Sequence, residues 1–160
     1  MPRTLWALLA IAVTLLTSIT VHVNQARDFD EERRAHAVAD ALGIYRSDGI
    51  AEVSGESLAC YSRATRVIAS DRLRRLMIER CIAIDWVGFL VDGAVSAALK
   101  VTPIDYFEPI NTKARIQRHA DFAKIGKDDL EKLLADVDRI WKLDLDRQRQ
   151  IHGKASRNRP

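Results

Sequence analysis

At 160 residues, with 25 basic against 22 acidic side chains and a net charge of +3, the chain is too evenly charged for a nucleic-acid binder. Its acidic residues are spread throughout, and no aromatic residues are interleaved with its basic C-terminal tail. No nucleotide-binding loop, metal-ligand set or nucleophile with a matching base can be read in it, so no cofactor, metal or catalytic residue is expected. What composition and patterning describe is architecture: an all-α chain, with an N-terminal transmembrane helix followed by a small helical bundle that contains an antiparallel helical hairpin.

The first element is the most distinct. Thr4 to Val23 is a run of twenty residues with no Asp, Glu, Lys or Arg, in a chain of which 29% is charged. A bilayer core is about 30 Å thick and a helix rises about 1.5 Å per residue, so this run can span it. The run is too long for the apolar part of a secretory signal, and His22 to Ala26 offers no Ala-x-Ala cleavage site. Residues 1–26 are therefore expected to be a retained signal anchor in contact with membrane lipid. Arg27, Arg33 and Arg34 outnumber Arg3, and by themselves they would keep the rest of the chain in the cytoplasm. The two cysteines, Cys60 and Cys81, favour the opposite orientation.

Residues 27–146 are expected to form one helical bundle, because apolar residues recur at intervals of three and four. A first helix is expected from Asp28 to Leu42, with acidic residues in its first turn and Gly43 as its C-cap; Ser47-Asp48-Gly49 marks a turn. A second helix is expected from Ser54 to Ala69, capped by Ser54, and a third starts at Ser70, an N-cap followed by Asp71. If these two fold back on each other about Ser70, Cys60 faces Cys81, Ala64 faces Met77 and Ile68 faces Leu73, and a disulfide becomes feasible. A single unbroken helix would instead hold the cysteines about 30 Å apart. A bridge implies an oxidising compartment, with the N-terminus in the cytoplasm and the domain outside it.

The third helix is apolar nearly all round from Ile82 to Leu99, which suits either a bundle centre or a membrane. Asp85 and Asp92 favour the centre, since each would cost about 2.5–3.5 kcal/mol near a bilayer midplane. Cys81, Asp85, Gly88, Asp92 and Ser96 share one face. Asp85, Asp92 and Ser96 could line a polar groove, and structural aspartates paired with one of Arg63, Arg66, Arg74, Arg75 or Arg80 are the preferred account. Gly88 and Gly93 are expected to allow close approach of a neighbouring helix. Pro103 ends this helix, and Tyr106, Phe107 and Pro109 form a connector.

A weakly amphipathic helix is expected from Thr112 to Lys124. The last helix should start with a capping box, Asp128 and Glu131, and carry the stripe Leu130, Leu133, Leu134, Val137, Ile140 and Trp141. Leu130, Leu134, Val137 and Trp141, with Arg147 and Arg149, are the candidate surface for a protein partner. Residues 147–160 are expected to be a basic, disordered tail.

Ser54-Gly55 ahead of Leu58 and Cys60, with Cys81 ahead of Gly88 and Asp92, resembles small exported helical domains with paired cysteines, some of which are periplasmic immunity proteins. The resemblance covers the hairpin alone and carries no functional residue across.

Three functions fit this reading. The favoured one is a membrane-tethered, non-catalytic helical interaction module, an accessory subunit of a bacterial-type cell-envelope complex. The second is an exported periplasmic binding or immunity-type protein. The third is a membrane-anchored enzyme using Asp85, Asp92 or His36. Glu32, His36 and Asp40 share a helical face, but a metal site draws three or four convergent ligands from more than one element, so a solvated face is preferred.

Overall fold

The computed structural model describes residues 30–157, with side chains to residue 151. The run Thr4–Val23 and the end of the tail lie outside the described residues. Contacts divide the chain into two compact units, Met1–Arg33 and Arg34–Pro160, and the hydrophobic core lies in the second. The described residues are helical and contain no strand. They form α1 (residues 30–48), α2 (Ile50–Arg66), α3 (Asp71–Leu99), a 3₁₀ turn (Asp105–Phe107), α4 (Pro109–Phe122) and α5 (Lys127–Arg157).

Several boundaries differ from those expected, for identifiable reasons. Gly43 lies inside α1 rather than capping it. The helix runs on to residue 48, where the Ser47 hydroxyl donates back to the carbonyls of Gly43 and Ile44. The break comes at Gly49, with φ 87° and ψ −177°, a conformation open essentially to glycine alone. Helix α2 therefore starts at Ile50, and Ser54 sits within it, its hydroxyl donating to the Ala51 carbonyl instead of capping. Ser70 does cap α3, its hydroxyl accepting the Leu73 N–H at 3.3 Å. That helix stops at Lys100, which adopts the left-handed region at φ 55°, and the Val101 N–H is donated to the Ser96 carbonyl.

Pro109 occupies the first turn of α4, where its missing N–H costs nothing. Helix α5 begins one residue ahead of the expected capping box, placing Asp128 and Asp129 in its first turn. It stays helical to Arg157, well beyond Leu145, so the boundary expected at residue 147 is not a change of backbone structure.

Helix α3 organises the unit: α2, α4, α5 and the 3₁₀ turn all pack on it. Among the described residues it is the one helix long and apolar enough to cross a membrane, and half of its most apolar stretch is already buried by the chain's own helices. Ile78, Ile82, Ile84 and Val87 of α3 meet Val38 of α1, Val53 of α2, and Leu133 and Val137 of α5 in a single core. Leu130 belongs to it, with Leu134 and Trp141 packed against its edge. The α5 stripe expected to face a partner is thus occupied within the chain, because an apolar face at helical spacing is satisfied as well by a neighbouring helix as by another protein.

Gly88 allows a close approach, though by the 3₁₀ turn and not by a helix. A Cβ built at Gly88 would lie 2.2 Å from Cζ of Phe107, whose ring is fully buried. Gly93 has no neighbour within 4 Å and needs no such explanation. Gly88→Ala should therefore overpack the ring at a cost of about 1–3 kcal/mol, only partly offset by the roughly 1 kcal/mol gained in helix propensity. Urea titration should show a lower midpoint for Gly88→Ala, partly restored by adding Phe107→Leu. A Gly88→Ala chain at least as stable as the parent would show that the ring yields freely.

Candidate functional site

The residue that organises the polar interior is Asp85, fully buried on α3. The Arg115 side chain reaches it from α4 in a two-pronged contact, Nε donating to Oδ2 at 2.9 Å and Nη2 to Oδ1 at 2.7 Å. The Tyr61 hydroxyl of α2 donates to Oδ2 at 3.2 Å. Arg115 also stacks 3.6 Å above the Tyr106 ring, and the Tyr106 hydroxyl donates to the buried Ser57 of α2 at 3.0 Å. The Tyr61 ring lies flat on His119, with centroids 3.8 Å apart and planes 9° from parallel. One carboxylate thereby links α2, α3, α4 and the 3₁₀ turn.

The sulfur atoms of Cys60 and Cys81 lie 2.05 Å apart, with Cα atoms at 5.5 Å, the separation of a disulfide. Cys60 adjoins Tyr61 in α2, and Cys81 lies one helical turn before Asp85, so the covalent tie and the polar network are neighbours on the α2–α3 contact.

Burial, the largest influence, pushes the Asp85 carboxyl up, and the hydrogen bonds from Arg115, Tyr61 and Ser57 pull it back. Burial also holds the Tyr61 hydroxyl well above the usual phenol range, with the nearby Asp85 charge acting in the same direction. Tyr61 is therefore a fixed donor. The Asp85 oxygens are already engaged by a guanidinium and a phenol, so the arrangement is suited to holding helices together and poorly suited to accepting a proton from a substrate.

His119 is held below the ordinary histidine range, first by burial and then by the positive charges of Arg118 and Arg115. Between its depressed folded value and the unfolded value of about 6.5, the unfolded chain binds more protons than the folded one, so stability is lost as the pH falls through that window. His119→Phe, which keeps an aromatic ring on Tyr61 but cannot titrate, should flatten the dependence of the urea midpoint on pH just below 6.5. An unchanged slope would exclude His119 as its source.

The structure separates the other candidates. Asp92 is buried and turned toward the chain emerging from α3, accepting the Ile104 N–H at 2.9 Å; Ser96 is buried near the end of the same helix. Asp85, Asp92 and Ser96 are thus all buried in the interior, Asp85 against α2 and α4 and Asp92 against the segment that follows α3. The arginine that pairs with Asp85 is none of the five expected: Arg75 bridges Glu79 and Asp129, Arg80 holds Asp40, Arg63 holds Glu56, and Arg74 holds Asp71.

Asp40 pairs with Arg80, and His36 is exposed. Among the described residues no three His, Cys, Asp or Glu side chains converge as metal ligands do. Arg147 and Arg149 remain on the surface, Arg149 beside Asp146. Sequence reasoning missed Arg115, Tyr61, Tyr106, Ser57 and His119. The one signal available was the spacing of Thr112, Arg115 and His119, which places polar groups on the side of α4 that also carries the apolar Ile116 and Ala120.

No protein-family model, curated protein or solved structure matches this chain.

Proposed function

We propose that this chain is a membrane-tethered, non-catalytic helical interaction module: an accessory subunit of a bacterial-type cell-envelope complex, held by a single span at Thr4–Val23 with its N-terminus in the cytoplasm and its bundle outside. Residues 1–26 form the anchor and α2 with α3 an antiparallel hairpin, supported by the four-residue link 67–70 and by the contact of Cys60 with Cys81. The observation that carries the reading is that cysteine pair: a bonded pair in the interior of the domain belongs to a compartment that oxidises thiols. The uncharged run supplies the tether. Asp85, with its oxygens occupied, acts as a structural tie in this reading, and the protein works by what its surface holds.

Whole-cell alkylation with a membrane-impermeant maleimide provides the test. Both cysteines should be unreactive before reduction and modified on intact, outer-membrane-permeabilised cells after it. Modification without reductant, or only after the inner membrane is opened, defeats the proposed topology. Crosslinking with mass spectrometry should then return an envelope protein as a stable partner. An enzymatic reading instead requires a phenotype for Asp92→Ala or His36→Ala in a chain that still folds.

A further inference from the structure

Four links join the described helices, and they differ in how firmly their backbone is tied down. Gly49 alone joins α1 to α2, its N–H donated to the Tyr45 carbonyl at 3.0 Å. The link 123–126 between α4 and α5 is folded into the unit: Ala123 and Ile125 are buried, and their N–H groups are donated to the carbonyls of His119 and Ala120. The segment from α3 to α4 is held on both sides of Pro103, the Val101 N–H by the Ser96 carbonyl and the Ile104 N–H by Asp92. Pro103 itself has no N–H to offer.

The link 67–70 between α2 and α3 is different. Val67 and Ser70 have extended backbone, at φ −72°, ψ 128° and φ −60°, ψ 152°. Among the described residues neither the N–H nor the C=O of Ile68 takes part in a hydrogen bond, and its side chain is fully exposed. Upstream, the Val67 N–H closes the last turn of α2 on the Arg63 carbonyl at 3.2 Å; downstream, the Ala69 carbonyl accepts from Arg74 at 3.2 Å. An extended stretch with free backbone groups and a free aliphatic side chain is the form in which an endoprotease takes its substrate, pairing with the backbone and enclosing one side chain in a pocket. Cys60 and Cys81 stand on either side of this link, and their bond joins α2 to α3 independently of it. Tyr61 and Ser57 tie α2 to the buried network as well.

We infer that the link 67–70 is a processing site: an endoprotease with a pocket for a β-branched aliphatic side chain hydrolyses the Ile68–Ala69 bond, and the Cys60–Cys81 bond holds the two pieces, 1–68 and 69–160, as one molecule. Water adds to the Ile68 carbonyl carbon and the bond to the Ala69 nitrogen breaks. The carboxylate stays on Ile68, and the proton goes to the new amine of Ala69. Entry into a protease cleft requires the last turn of α2 to open. Arg63, Thr65 and Arg66 of that turn are exposed, Ala64 alone is buried, and helix ends open at little cost.

The test uses the full chain with a C-terminal tag, recovered under alkylating conditions from the cells that naturally make it. It should run as one band on a denaturing gel without reductant and as two with it, the tagged piece giving Ala69-Ser70-Asp71 on N-terminal sequencing. Ile68→Asp alters only a fully exposed side chain and should leave a single full-length band after reduction. Ile68→Val should be cut as the parent is. In vitro, leukocyte elastase, whose pocket takes valine and isoleucine, should cut the disulfide-bonded parent at 68–69 at least about tenfold faster than Ile68→Asp, because a carboxylate is a poor occupant of an apolar pocket. The cut protein should keep its helical circular dichroism.

Native protein that remains full-length after reduction overturns the processing, whatever elastase does in vitro. A cut at another bond, such as that after Val101, overturns the choice of site. Two bands without reductant overturn the part given to the disulfide. An elastase rate that Ile68→Asp leaves unchanged overturns the recognition of Ile68.

Discussion

Arg115→Met should destabilise the folded unit by about 3–5 kcal/mol, the cost of removing one partner from a buried ion pair. Asp85 is fully buried, and the guanidinium supplies two hydrogen bonds to its carboxylate, beside those of Tyr61 and Ser57. Methionine keeps much of the volume and the contact with Tyr106 but leaves a charge that the neutral donors Tyr61 and Ser57 cannot satisfy. A small domain has about 5–15 kcal/mol in all, so the substitution should bring the unit close to unfolding at room temperature. The double variant Asp85→Leu with Arg115→Met removes both charges and should recover most of the loss, because well-packed apolar replacements of a buried pair are often neutral. Urea titration of the two single variants and the double variant gives the coupling directly. Equal stability of Arg115→Met and the parent would show that the contact contributes nothing.

The second large effect should come from the cysteines. Cys60 and Cys81 are 21 positions apart, and closing a loop of that size removes unfolded-state entropy worth about 3 kcal/mol. The double variant Cys60→Ala, Cys81→Ala should lose that amount together with the packing of two buried side chains. Reduction of the parent chain should lower the urea midpoint in the same direction by the loop term alone. Coincident unfolding curves with and without reductant would mean that the bond places no constraint on the unfolded chain.

The sequence was most informative where local chemistry decides structure. Ser70 with Asp71 announced the start of α3, and counting outward from Ser70 brought Cys60 opposite Cys81, whose Cα atoms the fold holds 5.5 Å apart; Pro109, expected in the connector, instead opens α4, because a first-turn proline gives up no helix hydrogen bond. The all-helical character followed from spacing. It was least informative where several helices compete for the same residue. Asp85 announced its need for a guanidinium, but arginines recur along much of the chain, and only tertiary structure selects Arg115, thirty positions away. The stripe on α5 looked like a docking face because periodicity says that a face is buried without saying by what. Gly43 looked like a cap because glycine ends helices often, yet Gly49, six residues on, has the backbone angles that only glycine supplies.

The thirty-residue gap between Asp85 and Arg115 also bears on how the chain is made. A growing polypeptide displays the apolar helix α3, with an acid in the middle, before the residue that neutralises that acid has left the ribosome. Until α4 arrives, this half-finished segment has neither a complete core nor a counter-ion, and it resembles a span too polar to settle in lipid. A chain terminated after Phe107 should never leave that state.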